Sequence, residues 1–296
     1  MAHETWTIKK LLNVTSEYLK SKQIDNPRLA AEILLAHQLN VSRINLYLNF
    51  EQPLNSREIA GYRELIRRRV RHEPLQYITG TQEFWSLDFV VTPFVLIPRP
   101  ETELLVELGM ERIEKMALAP NLSPRILDLC TGCGAIAVAM AKVHPSAEIW
   151  ATDISPGAIE VARLNAERHG VAERIRFMEG DLWEPFSDQG GNFDLILSNP
   201  PYVASEQYAG LPPEVREYEP RLALDGGRGG MEFIARIIRG ALSHMAPGAW
   251  LMLEMAPEQT NKALALLGSV KGYREKARFK DYSHNYRVVT ARKAEE

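Results

Sequence analysis

The sequence predicts an α/β protein: a doubly wound, mostly parallel sheet with an antiparallel strand at its end, preceded by a small helical bundle. Three observations predict it. Apolar residues recur at helical spacing through about the first 70 positions. From about residue 97 onward, β-rich runs alternate with helical ones, as in a parallel sheet flanked by helices. A glycine-containing turn joins the first of those strands to the first of those helices.

The elements follow in order. Ile8, Leu11, Leu12, Thr15, Tyr18 and Leu19 share one helical face. A second helix begins near Pro27 and carries Leu29, Ile33 and Leu34, and a third runs from Ser56 with Ile59, Tyr62, Leu65, Ile66 and Val70 inward. Residues 76–91 hold Tyr77-Ile78, Phe84-Trp85 and Phe89-Val90-Val91, broken by Gly80, and are expected to form a hairpin. Strands are then expected at 125–129, 148–152, 174–178, 193–198 and 250–255, with helices at 135–143, 156–168, 230–244 and 257–267. Two last strands, near 277–279 and 286–291, are close enough to pair antiparallel. The expected domains are therefore 1–74 (helical), 75–97 (hairpin linker) and 98–296 (α/β).

With 45% hydrophobic and 25% charged residues the composition is that of an ordinary soluble globular protein. A formal net charge of −3 argues against bulk, sequence-blind nucleic-acid binding, and no stable nucleic-acid complex is expected. No run approaches a membrane span, and the first residues do not make a signal peptide. Two cysteines and no export signal point to the cytoplasm.

Ile126-Leu127-Asp128-Leu129 runs into Cys130-Thr131-Gly132-Cys133-Gly134 and then a helix. Such a turn lets a ligand approach backbone at a helix N-terminus. An acid is expected about 20 residues on to bind ribose hydroxyls, and Asp153 lies 19 after Gly134. The pattern points to a nucleoside-containing cofactor. Gly132-x-Gly134-x-x-Ala137 also satisfies a dinucleotide fingerprint, so NAD and a nicotinamide oxidoreductase stay open at this point. Cys130 and Cys133 form a C-x-x-C, but zinc would need further ligands and no third cysteine exists; no metal is expected.

The strand-like run Phe193-Asp194-Leu195-Ile196-Leu197-Ser198 stops at Asn199-Pro200-Pro201-Tyr202. Two prolines in succession make a stiff backbone with carbonyls free of intrastrand pairing, and they restrict Asn199 as well. The tip offers an amide side chain, carbonyl acceptors and a flat ring, which suit a planar –NH2 group. An ordinary strand-terminating turn is the competing reading.

Together the glycine turn, Asp153 and this tetrapeptide resemble class I S-adenosylmethionine-dependent methyltransferases acting on planar nitrogens. Further segments narrow the resemblance: Arg71-His72-Glu73-Pro74-Leu75-Gln76-Tyr77-Ile78-Thr79-Gly80, Glu83-Phe84-Trp85, Leu96-Ile97-Pro98-Arg99-Pro100-Glu101-Thr102-Glu103 and Tyr218-Glu219-Pro220-Arg221-Leu222-Ala223-Leu224. Over nearly its whole length the chain is similar to the HemK/PrmC family, the protein glutamine N5-methyltransferases of peptide chain release factors. That family usually has glycine at the position of Cys130 and a small residue at that of Cys133.

The resemblance implies a seven-stranded Rossmann-like catalytic domain over 98–296 and a substrate-docking helical domain over 1–74. It implies S-adenosyl-L-methionine as cofactor and S-adenosyl-L-homocysteine as product. Cys130, Thr131, Gly132, Cys133 and Gly134 would wrap its methionine end, Asp153 would hold its ribose, and Trp183 would lie by its adenine. Asn199 would face both cofactor and substrate. The substrate implied is the glutamine of the Gly-Gly-Gln loop of class-1 release factors, with the chain expected to act as a monomer. The alternative substrate is adenine or another exocyclic amine of nucleic acid. The Asn199 oxygen and the Pro200 carbonyl are read as acceptors for the two amide hydrogens, with Pro201 stiffening the corner and Tyr202 packed on the amide plane. Arg63, Arg67, Arg68, Arg69 and Arg71 are either a docking surface for the release factor or a solvated helix end. Arg99, Glu101 and Glu103 are left undecided between pocket and surface roles.

Overall fold

The computed structural model describes residues 5–116, 123–187 and 192–295. It divides into two compact units, one of residues 1–81 with 212–218, the other of residues 82–211 with 219–296.

The smaller unit is helical: α1 (Ile8–Ser21), α2 (Pro27–Leu39), α3 (Arg43–Leu48), α4 (Ser56–Val70) and α5 (Leu75–Thr79), with the short helix Pro213–Tyr218. Thr7 caps α1. A capping box starts α4, with Asn55 Oδ1 accepting from Glu58 N at 2.9 Å and Glu58 Oε2 from Asn55 N at 2.8 Å. Its core joins Leu12, Leu34, Leu35, Leu46, Tyr62 and Ile66. Tyr18 and Leu29, expected inside, lie at the edges of their helical stripes and stay exposed. Tyr77 and Ile78 are helical rather than part of a hairpin: Pro74 precedes α5, and Gly80 closes it in the left-handed conformation at φ 77°.

Three of the five arginines proposed for docking are committed within this unit. Arg67 pairs with Glu64 and Arg68 with Glu73. Arg69 is buried and holds Glu214 at 2.8 Å.

From Gln82 on, the larger unit holds the hairpin of β1 (Thr81–Phe84) and β2 (Leu87–Val90). Trp85 and Ser86 turn it with φ 54° and 56°, the backbone of a tight hairpin. The hairpin groups with the large unit instead of standing alone as a linker, because Asn165 binds the Val90 backbone through both its oxygen (2.7 Å) and its nitrogen (3.0 Å). There follow α6 (Glu103–Lys115), β3 (Arg125–Leu129), α7 (Ala135–Val143), β4 (Glu148–Asp153), α8 (Pro156–Arg168), β5 (Ile175–Glu179), β6 (Phe193–Ser198), a helix over Glu232–Ala241, β7 (Met245–Glu254), a helix over Thr260–Ser269, β8 (Tyr273–Lys280) and β9 (Tyr286–Lys293). β3 to β9 form one seven-stranded sheet in the order β5-β4-β3-β6-β7-β9-β8. β3 is parallel to both β4 and β6, and β9 is antiparallel to both β7 and β8. Sheet residues such as Leu127, Ile196 and Leu251 pack on Ile234, Ile237 and Ile238 of the helix that precedes β7. Strand order reverses at β3, so the carboxyl ends of β3 and β6 flank the crevice where open α/β sheets bind ligands.

Candidate active site

The C-terminal ends of four adjacent parallel strands supply the site. The chain leaves β3 through Cys130, which sits in the left-handed region at φ 63°, and turns through Gly132 (φ 56°) and Gly134 (φ 83°) into α7. Gly134 is required twice over, because a Cβ there would also lie 3.1 Å from Ala162 Cβ and 3.2 Å from its Cα. Asp128 holds this turn from below. It is fully buried, and its Oδ2 accepts from Thr131 Oγ1 at 2.6 Å and from Ala137 N at 3.0 Å. Burial pushes its carboxyl up to about 7 against these hydrogen bonds.

Asp153 ends β4 and faces the turn, its Oδ2 accepting from Gly132 N and its Oδ1 from Ser155 N, both at 2.9 Å. Desolvation raises this carboxyl above the usual range, with the backbone donors acting in the opposite sense. A carboxylate has about four lone-pair sites, so Asp153 can still accept from hydroxyls. Burial also pushes the Cys130 thiol up, and the Cys133 thiol up to about 12; both cysteines are reduced.

These groups line a cavity of about 280 Å³. The turn residues Cys130 to Cys133, Asp153, Asp181 and Leu182 after β5, and Asn199 and Pro201 after β6 all contribute to its wall. Val95, Leu96 and Pro98 with Pro220, Leu222 and Ala223 also line it. Those two stretches are tied together by buried Glu219, which accepts from Ile97 N at 3.2 Å and from Arg99 Nη2 at 2.5 Å. Charge at the wall favours a nucleoside without phosphates. Two carboxylates, Asp153 and Asp181, face it, and Arg236 is already paired to Asp181 at 2.6 Å. These carboxylate acceptors fit a cationic sulfonium carrying ribose hydroxyls, and they do not fit the diphosphate of a dinucleotide.

The Asn199-Pro200-Pro201-Tyr202 corner is fixed from several sides. Ser198 Oγ donates to Leu129 O at 2.6 Å, which ties the end of β6 to the end of β3. Asn199 Nδ2 donates to Thr102 Oγ1 at 3.1 Å. Among the described residues no backbone N–H donates to the Pro200 carbonyl. Gln259 Nε2 donates to the Tyr202 carbonyl at 2.7 Å. Gly230 comes so close that a Cβ there would lie 2.0 Å from that same carbonyl oxygen.

The structure therefore brings Cys130, Thr131, Gly132, Cys133, Asp153, Asn199 and Pro201 to one cavity. Gly134 stands just behind, at the N-cap of α7. Pro200 is buried and Tyr202 half-buried beside the cavity wall, the Tyr202 hydroxyl directed at Glu254 Oε1 at 3.4 Å. Trp183 is not brought to the wall: its indole stacks on His244 with centroids 4.7 Å apart, and Leu182 takes the place at the cavity. Of the undecided residues, Arg99 donates to Glu219 and so joins the stretch after Pro98 to the one before Pro220, Glu103 Oε1 accepts from Trp85 N at 2.8 Å, and Glu101 acts electrostatically on Glu254. Asp128 and Glu254 were missed as site residues from sequence, while Thr102 and Glu219 were noted only within the segments that carry the resemblance. The available signal for these two was an acid inside or ending an apolar strand run, as in Ile126-Leu127-Asp128-Leu129 and Leu251-Met252-Leu253-Glu254.

This sheet order, with a glycine turn and an acid at neighbouring strand ends, defines a class I S-adenosylmethionine-dependent methyltransferase. Two solved structures share the fold: a methyltransferase from Pyrococcus furiosus (TM-score 0.51, 21% identity, covering 77% of this chain and 98% of that one) and the human methyltransferase 10 domain containing protein (TM-score 0.52, 16% identity, 72% and 90%). The PrmC N-terminal domain family matches residues 10–80, and the methyltransferase small domain family matches residues 110–211. The release factor glutamine methyltransferase of Geobacter sulfurreducens is 49% identical over 263 residues, 89% of each chain. That of Chlorobaculum tepidum is 44% identical over 268 residues, 90% of this chain and 91% of its own. That of Moorella thermoacetica is 39% identical over 290 residues, 98% and 100%. The chain belongs to the release factor glutamine methyltransferase family. Among the described residues no helix is long and apolar enough to cross a membrane.

Proposed function

We propose that this protein transfers a methyl group from S-adenosyl-L-methionine to the side-chain amide nitrogen (N5) of the glutamine in the Gly-Gly-Gln motif of class-1 release factors, leaving S-adenosyl-L-homocysteine. The observation that carries the reading is the position of Asn199, on the same cavity wall as the glycine turn and with its amide nitrogen held by Thr102. When bound, the cofactor supplies an activated methyl group on a sulfonium. Residues Cys130, Thr131, Gly132, Cys133 and Gly134 hold its methionine end, Asp153 its ribose hydroxyls, and Leu182 an apolar face of its base.

The difficult partner is the amide nitrogen, whose lone pair is delocalised into its carbonyl. Asn199 Oδ1 accepts one hydrogen of the substrate –NH2 and the Pro200 carbonyl accepts the other, which fixes the nitrogen with its lone pair facing the transferred carbon. Pro201 keeps the corner stiff, and Tyr202 anchors it beside the substrate amide. Both acceptors bind more strongly as positive charge builds on nitrogen, so they favour the transition state over the ground state. Orientation supplies much of the remaining acceleration. The methylated nitrogen is acidic until it loses its extra proton to water, so no side-chain base has to act first. The reaction belongs to the cytoplasm, where translation terminates.

The test is mass spectrometry of a purified class-1 release factor after incubation with the protein and S-adenosylmethionine. One added methyl on the tripeptide glutamine is expected, with DNA and RNA left unlabelled by labelled cofactor. Methylated nucleic acid and an unmodified release factor would reverse the assignment.

A further inference from the structure

We infer that Phe94 is a further cofactor-binding residue: its ring, seated on Gly157 at the start of α8, is an exposed apolar wall against which the nucleoside end of S-adenosylmethionine packs. The inference rests on the cofactor reading given above and adds to it a residue outside the strand ends.

Phe94 follows β2 in a turn whose backbone is fixed. Val95 N donates to Thr92 O at 3.0 Å and Phe94 N to Thr92 Oγ1 at 3.4 Å, and the flanking Val91 and Val95 are buried. The ring is 64% exposed all the same, and it lines the cavity. A single exposed phenyl needs no explanation. Its company does. Among the described residues of the larger unit, the large apolar side chains left exposed are Val143, Leu164 and Tyr282, which lie off the cavity, and Phe94, Ile154 and Leu222, which all line it. Exposed apolar surface gathered around one cavity is surface that a ligand covers.

Gly157 sets which part of the cofactor the ring meets. It lies four residues after Asp153, in the first turn of α8, and a Cβ there would come within 2.9 Å of Phe94 Cγ and 3.0 Å of Cδ1. Only a residue without a side chain lets the phenyl seat that closely. The ring thus stands over the segment that follows the ribose acid, and Ile154, Ser155 and Ala158 of that segment also line the cavity. The methionine end belongs to the glycine turn after β3, so ribose and base are the parts within reach of Phe94. Asp153 and Asp181 offer the nucleoside polar acceptors, and Leu182 offers its base an apolar face from the end of β5. Phe94 supplies apolar area from the α8 side.

The experiment compares wild type with Phe94→Ala, Gly157→Ala, the Phe94→Ala/Gly157→Ala double variant and Leu164→Ala, an exposed α8 position off the cavity. Calorimetry measures affinity for S-adenosylhomocysteine and for methylthioadenosine, which lacks the amino acid end. Turnover at saturating cofactor gives KM for release factor, and urea unfolding gives stability. Phe94→Ala should weaken both ligands by about tenfold, the size of a partly covered aromatic contact, with KM for release factor within about twofold and the urea midpoint unchanged. Gly157→Ala should weaken both by a similar factor while holding or raising the urea midpoint, since alanine is the better helix residue. In the double variant the glycine change should cost nothing beyond Phe94→Ala, because the ring it displaces is gone. Leu164→Ala should bind as wild type does. Four results would overturn the inference: Phe94→Ala binding both ligands as tightly as wild type; a loss confined to S-adenosylhomocysteine, which puts the ring at the methionine end; a raised KM for release factor without lost cofactor affinity; or a Gly157→Ala loss of the same size with and without the ring. A wild-type protein that binds neither ligand removes the cofactor reading itself, and this inference with it, before any variant is compared.

Discussion

In the proposed mechanism Asn199 acts through one atom, the side-chain oxygen. Asn199→Ala should abolish detectable methylation of release factor while leaving cofactor affinity, measured by calorimetry, within about tenfold, since a neutral hydrogen bond contributes about 0.5–1.5 kcal/mol. Near-normal turnover in that variant would end the proposed role. The two turn glycines separate backbone strain from crowding. Gly132→Ala meets nothing within 4 Å and carries only the positive-φ penalty, about 1–2 kcal/mol. Gly134→Ala adds the approach to Ala162 and should lower the urea midpoint further. Both glycines and the proline corner were legible from sequence, because turn stereochemistry is written in the residues that adopt it. Asp128 and Glu254 were not, because a buried acid and a surface acid carry the same letter.

At the scale of elements, one side chain joins three. Asn165 of α8 is fully buried and binds the Val90 backbone of the hairpin while donating to Cys133 O of the glycine turn at 2.9 Å. Asn165→Ala should cost at least about 2 kcal/mol in urea unfolding, since buried groups are left without partners. It should also weaken cofactor binding, because the turn loses its tie to α8; unchanged affinity would show that the turn stands without it. Arg69 has a comparable structural task. Arg69→Ala should destabilise the helical unit by about 1–3 kcal/mol in thermal melts, by removing the Glu214 pair and the bond to Glu73 O. The arginine run read equally well as a docking face from sequence. Only packing revealed that its members have different duties. The helix over residues 75–79 was missed for a related reason: Tyr77 and Ile78 are β-favouring types, and the flanking Pro74 and Gly80 overrode that preference.

At the scale of the whole molecule, pH dependence follows from buried acids. Asp128 and Glu254 are each pushed to about 7 by burial. The folded chain thus holds protons that the unfolded chain releases from about pH 4 upward. Their contribution is greatest below the unfolded pKa values and is lost as pH rises towards about 7. Glu32 works in the opposite sense: its donors, Tyr47 first, outweigh desolvation and depress its carboxyl, so its contribution is lost as pH falls through that depressed value. Urea unfolding of wild type against Glu254→Gln should therefore shift in favour of the variant between pH about 5 and about 8, and an unchanged difference would contradict it.

By itself the sequence determined the strand–helix alternation, the glycine turn with its following acid, and the stiff corner after β6. Each depends on residues that are neighbours along the chain and on the φ values they allow. The tertiary structure decided which way the corner's amide points and what closes the cavity. Those outcomes depend on Thr102, 97 residues from Asn199, and on Glu219, 120 residues from Arg99, contacts that local stereochemistry does not specify.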